Sequence, residues 1–138
     1  MILKEIRIKR DGKWYANDNE MFRKPILNIF ATHLCRDEEG QFFIKLNDET
    51  FPVVVEDVPF LVVDAHIKDG AIVLVFHDQQ EMVVDHEIPV HFKGDVPYVS
   101  YRWEKDTRLD RSAFWMISNF LVEKNGQIYL VPPGHLKN

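Results

Sequence analysis

The chain has 138 residues, of which 46% are hydrophobic, enough to fill a core and to exclude disorder along its whole length. A net charge of −5 argues against a broad nucleic-acid surface. No apolar run approaches the ~20 residues of a membrane helix, the opening residues carry no secretory pattern, and the single Cys35 allows no internal disulfide, so the expected setting is the cytoplasm, without membrane insertion.

In chain order, the first element is a hairpin. Ile6 to Arg10 alternates apolar and basic residues, Asp11-Gly12 supplies a two-residue turn, and Lys13-Trp14-Tyr15-Ala16 returns. This register sets Ile8 opposite Tyr15 and Lys9 opposite Trp14, with the Lys9 ammonium over the indole. Pro25 then opens a helix whose apolar stripe is Ile26, Leu27, Phe30, Ala31 and Leu34, stopped by Glu38-Glu39-Gly40. Strands follow over Gln41 to Leu46 and Pro52 to Val58.

The middle of the chain holds a second Asp-Gly hairpin, with Asp69-Gly70 as its turn. Leu61, Val63, Ala65 and Ile67 share an apolar face with Ile72, Leu74 and Phe76, which pins the register. Short strands are expected near Met82 to Val84 and Ile88 to Phe92, and an alternating one over Tyr98 to Trp103 with Val99, Tyr101 and Trp103 facing the core. Thr107 or Asp110 caps a second helix with the stripe Ala113, Phe114, Ile117, Phe120 and Leu121. Asn125-Gly126 ends it, and Gln127 to Val131 is the last strand.

These elements make an α+β fold, mostly antiparallel β with two main helices, divided into an N-terminal half (1–57) and a C-terminal half (58–138) packed as one unit. The halves read as copies. A shift of 87 sets Leu27 on Phe114, Phe30 on Ile117 and Leu34 on Leu121, and with one residue lost Gly40-Gln41 falls on Gly126-Gln127.

Catalytic signatures are missing: no Gly-rich phosphate loop, nucleophile elbow or metalloprotease helix is present. The histidines do not converge, since His77 opposite Val62 lies ~13 Å along the sheet from His66. No metal and no cofactor are expected, and no catalytic residue is assigned. Charge is the remaining signal. Residues 37–87 hold 13 acidic and 2 basic residues, a balance of −11 that leaves +6 for the rest. Arg23 and Lys24 precede the first helix and Arg108 and Arg111 the second, where free N–H groups favour an anion. The alternative partner for these cations is the acidic middle segment, particularly Glu56.

The succession Ile6, Ile8, Asp11-Gly12, Trp14, Arg23, Leu34, Val55-Glu56-Asp57-Val58-Pro59-Phe60, Tyr98-Val99, Arg102, Leu109 and Arg111 resembles the bacterial family known as domain of unknown function 1285. The resemblance spans nearly the whole chain. It implies an internally duplicated fold with a pleckstrin-homology-like C-terminal half, a nucleotide-type ligand between the halves and a signalling role. Arg23, Glu56, Asp57, Arg102 and Arg111 are the ligand-binding positions it implies. The expected function is a non-catalytic binding or signalling module for a small anionic ligand. The alternatives are a protein–protein adaptor using a strand edge or aromatic patch, and an enzyme of undetected type.

Overall fold

In the computed structural model, which describes residues 5–135, the chain forms two units that divide between Pro59 and Phe60. The opening residues 1–4, read for a leader sequence, lie outside the described residues. The architecture of the described residues is α+β: two sheets, each mostly antiparallel with one parallel pairing, and two α-helices. Among the described residues no helix is long and apolar enough to cross a membrane, a statement that does not bear on β-barrels.

Unit 1 contains β1 (Ile6–Ile8), β2 (Trp14–Ala16), β3 (Asn19–Glu20), α1 (Lys24–Thr32), β4 (Leu34–Arg36), β5 (Phe42–Leu46) and β6 (Glu49–Val55). Its sheet runs β3-β2-β1-β6-β5-β4, with β1 and β6 parallel. The first hairpin corrects the expected register. Ile8 lies opposite Trp14, and Lys9 N–H donates to the Lys13 carbonyl, so the loop is the three-residue Arg10-Asp11-Gly12. Only Gly12 takes a positive φ (+85°), as in a turn closed by a left-handed glycine, rather than both Asp11 and Gly12 as a two-residue turn requires. The slip of one residue exchanges faces. Trp14 goes into the core beside Ile6 and Ile8, and the Lys9 ammonium lies 4.2 Å over Tyr15 instead of over the indole.

Helix α1 stops at Thr32, six residues short of Glu38. Thr32 Oγ1 donates to the Asn28 carbonyl (2.7 Å) and His33 Nδ1 meets that of Ile29 (2.7 Å), which satisfies carbonyls the helix end leaves open. Leu34 is therefore a buried strand residue of β4, and Cys35 follows it on the same strand. The Glu38-Glu39-Gly40 stretch reverses a hairpin. Asp37 Oδ1 accepts the N–H groups of Glu39 and Gln41, and Gly40 sits at φ +85°. The last strand of the unit is displaced to Glu49–Val55 because Asn47, at φ +56°, turns the chain earlier than Pro52.

Unit 2 contains β7 (Phe60–Lys68), β8 (Ala71–Phe76), β9 (Glu81–Val84), β10 (Ile88–Lys93), β11 (Val96–Val99), β12 (Thr107–Leu109), α2 (Arg111–Ile117), a 3-10 turn over Ser118–Phe120, β13 (Leu121–Lys124) and β14 (Gln127–Leu130). The sheet order is β13-β14-β10-β11-β12-β7-β8-β9, with β12 and β7 parallel. The Asp69-Gly70 hairpin forms as read: both residues have positive φ (52° and 81°), and Lys68 lies opposite Ala71. The expected alternation holds back to Asp64, where a bulge intervenes and sets Val62 opposite Phe76. His77 consequently bonds the Leu61 carbonyl rather than pairing with Val62, and Val62 becomes fully buried.

The strand expected over Tyr98 to Trp103 ends at Val99. The reason is Asp106. Its carboxylate, 3% exposed, accepts N–H bonds from Tyr101 (2.8 Å), Arg102 (2.9 Å) and Trp103 (2.8 Å) and a hydroxyl bond from Thr107 (2.9 Å). Three successive amides turned toward one carboxylate cannot continue a strand ladder. Tyr101 and Trp103 still join the aromatic core, packed on Phe60, and Phe76 lies 4.4 Å from Tyr101. The Tyr101 hydroxyl donates to Gln80; burial, helped by the nearby Asp78 charge, raises its pKa and keeps the donor protonated. Asn125-Gly126, at φ +52° and +82°, is a hairpin turn between β13 and β14 rather than the end of the second helix, and Leu121 belongs to β13.

Two glycines meet where the 3-10 turn Pro133–His135 approaches the Asp69-Gly70 hairpin. Gly134 N–H donates to the Gly70 carbonyl at 2.8 Å, and a Cβ on Gly134 would lie 2.9 Å from that oxygen. Gly134→Ala is therefore expected to destabilise by about 1–3 kcal/mol, the usual cost of forcing a methyl into packed backbone. Thermal melting checks it; an unchanged melting temperature would mean that this segment moves aside freely.

Candidate anion site

Arg111 and Arg108 reach one hollow through three local devices. Thr107 and Leu109 of β12 are buried, so Arg108 between them projects to the opposite side of the strand. Asp110 then turns the chain into α2: its Oδ1 accepts the Ala113 N–H at 2.9 Å and the Ser112 hydroxyl at 3.1 Å. Ala113 and Ile117 anchor the helix and leave Arg111, Trp115 and Met116 outward. Phe114 rests edge-on against Phe92 of β10, with ring centroids 5.9 Å apart. The wall opposite is the β10–β11 turn, where Gly94 at φ +62° reverses the chain before Asp95 and Pro97.

The result is an open concavity of about 440 Å³ lined by Asp95, Pro97, Arg108, Arg111, Phe114 and Trp115, together with smaller apolar residues. Arg111 is exposed and takes part in no ion pair among the described residues. A larger hollow of about 530 Å³ lies in unit 1, but among the described residues the charged side chains that line it are Asp37 and Asp57, both acidic. Charge, not size, therefore selects the unit 2 hollow for an anion.

The residues implied by the family resemblance fall in different places. Arg111 lines the unit 2 hollow. Arg102 does not: its guanidinium lies 4.5 Å over Trp103 and 5.9 Å from Phe60, above the aromatic core. Arg23 is the exposed N-cap of α1 and gives that helix no side-chain cap bond. Asp57 borders the acidic hollow of unit 1. Glu56 closes the corner between β1 and β6: its carboxylate accepts the Arg10 N–H (3.0 Å) and an Arg7 guanidinium bond (3.2 Å). Its ion-pair partner is thus Arg7, not Arg23 or Lys24 at the helix start. Arg7 is held more firmly still by Glu5, whose carboxyl pKa is lowered by that hydrogen bond.

The second helix start also differs from expectation. Asp110 already places a carboxylate on its N–H groups, so the positive character of this region comes from the arginine side chains. Sequence reasoning noted Arg108 only as a neighbour of the helix and overlooked Phe114 and Trp115 as lining residues. The usable signal was Arg108-x-x-Arg111-x-x-Phe114-Trp115, two cations and then two adjacent aromatics at three-residue steps. Among the described residues no three His, Cys, Asp or Glu side chains gather as a metal site would need.

Fold and site together define a two-unit α+β protein whose second unit carries an arginine-lined hollow. Residues 3–58 match the model of the DUF1285 N-terminal domain, a domain of unknown function. The chain is also similar to a crystal structure of a DUF1285 family protein from Silicibacter pomeroyi DSS-3, with a TM-score of 0.74 and 22% identity over 94% of this chain and 76% of that one. A DUF1285 family protein from Shewanella baltica OS155 gives a TM-score of 0.66 and 18% identity over 83% of this chain and 90% of that one. These likenesses establish the fold. No curated protein matches.

Proposed function

We propose that this chain is a non-catalytic, cytoplasmic binding module with a signalling role, whose ligand is a small anion of nucleotide type held in unit 2 by Arg108 and Arg111. One observation carries the reading: the exposed Arg111, outside any ion pair among the described residues, shares a concavity with a second arginine. Guanidinium groups present planar donor pairs that match phosphate or carboxylate oxygens. The duplication and the pleckstrin-homology-like character of the C-terminal half belong to the same proposal. The duplication is supported by the helix–strand–glycine-turn–strand succession found in each unit, over α1-β4-β5 and over α2-β13-β14.

A thermal-shift panel of nucleotides and phosphorylated metabolites tests the reading, because a ligand that binds only the native state raises the melting temperature. Wild-type protein should shift, and Arg111→Ala should shift much less at the same ligand concentration. A second reading, a protein–protein adaptor, is favoured by the exposure of Trp115 (65%) and Met116 (54%) on α2. It takes precedence if no anion in the panel shifts the wild-type protein at millimolar concentration.

A further inference from the structure

The composition of the unit 2 hollow narrows its ligand beyond a small anion. Among the described residues, Arg108 and Arg111 bring two positive charges to the lining and Asp95 one negative, a balance of +1. A group bearing one or two charges is matched there. A polyphosphate leaves most of its charge uncompensated, with Asp95 facing it. The rest of the lining is apolar: Pro97, Leu109, Phe114 and Trp115 among its residues. Phe114 is held edge-on by Phe92, and the Trp115 ring stands 6.5 Å from it at 65°. With 65% of its surface open, Trp115 still has an indole face to offer. Planar rings stack on such a face, which by truncation is worth ~1–3 kcal/mol per ring.

Resting on the anion-site reading above, we infer that this hollow selects an aromatic phosphate monoester: one phosphate on the two guanidinium groups and one planar ring on Trp115. Asp95 is the acceptor for a donor group on the ring or its linker. The inference reverses the ordering that simple attraction to arginine gives, in which each added phosphate tightens binding.

The test is a titration of the full chain, labelled with nitrogen-15, followed at the indole N–H signals; a Trp115→Leu variant assigns the one belonging to Trp115. The probes are inorganic phosphate, glycerol phosphate, phenyl phosphate, adenosine monophosphate and adenosine triphosphate. Phenyl phosphate and adenosine monophosphate should move the Trp115 signal and bind about tenfold or more tighter than the other three. In Trp115→Leu, read by calorimetry, the two aromatic monoesters should fall to the affinity of glycerol phosphate. If the triphosphate or glycerol phosphate binds as tightly as the aromatic monoesters and Arg111→Ala weakens it, the anion site stands and the inference fails. If aromatic monoesters bind but Trp115→Leu leaves them unchanged, the inference also fails. If none of the five binds, the inference and the reading beneath it fall together.

Discussion

Asp106→Ala should lower the melting temperature by more than about 10 °C, corresponding to at least ~3 kcal/mol in a unit of this size. The side chain is buried, and its two oxygens gather the amides of Tyr101, Arg102 and Trp103 and the hydroxyl of Thr107. Alanine leaves those donors without an acceptor, at about 1–3 kcal/mol for each that water fails to reach. Asp106→Asn should recover only part of the loss, since its amide nitrogen would face N–H donors that need an oxygen. Paired melts of the three proteins check this. A loss under about 1 kcal/mol would show that water replaces the carboxylate and that the turn does not depend on it. The turn matters to the site as well, because Arg108 stands two residues beyond Asp106 on the strand that leaves it.

The second large effect is expected at Phe76, where alanine should cost about 3–5 kcal/mol, the usual range for deleting a buried aromatic ring. Phe76 is 2% exposed and packs on Phe60 (6.0 Å, edge-on) and Tyr101 (4.4 Å). Tyr101 is also one of the amides held by Asp106, so the two sites share a partner. The double variant should therefore lose less than the sum of the single losses, by ~0.5 kcal/mol or more. Denaturant unfolding measures all four corners of this cycle. Strict additivity would mean that the aromatic core and the Asp106 turn are independent.

How much of this was legible depended on whether a feature is local. The Asp69-Gly70 turn was, because type I′ geometry needs positive φ at both positions and strict alternation on either side pins the pairing. Asp11-Gly12 has the same residues, yet forms a three-residue loop, since the pairing of β1 with β6 and the burial of Trp14 choose the face. The helix ends were overrun for a related reason. Leu34 and Leu121 continue a helical stripe in sequence, but each starts a strand whose partner lies beyond a later glycine turn. Of the site, Arg111 and its neighbour Arg108 were visible as a cationic pair. That Arg102 would be drawn onto Trp103 and Phe60 followed from Asp106, a buried carboxylate with no periodic signature.

The most direct test of the proposed anion site is calorimetric titration of adenosine monophosphate into wild-type, Arg111→Ala and Arg102→Ala proteins. Losing a charge-assisted bond from Arg111 should weaken binding by about tenfold to a hundredfold. Its melting temperature should barely change, because the side chain is exposed and outside any ion pair among the described residues. Arg102→Ala should bind as the wild type does and lose a little stability, about 0.5–1 kcal/mol, through the contact with Trp103. Equal affinity in wild-type and Arg111→Ala proteins, or no binding by the wild type at millimolar ligand, would contradict the account.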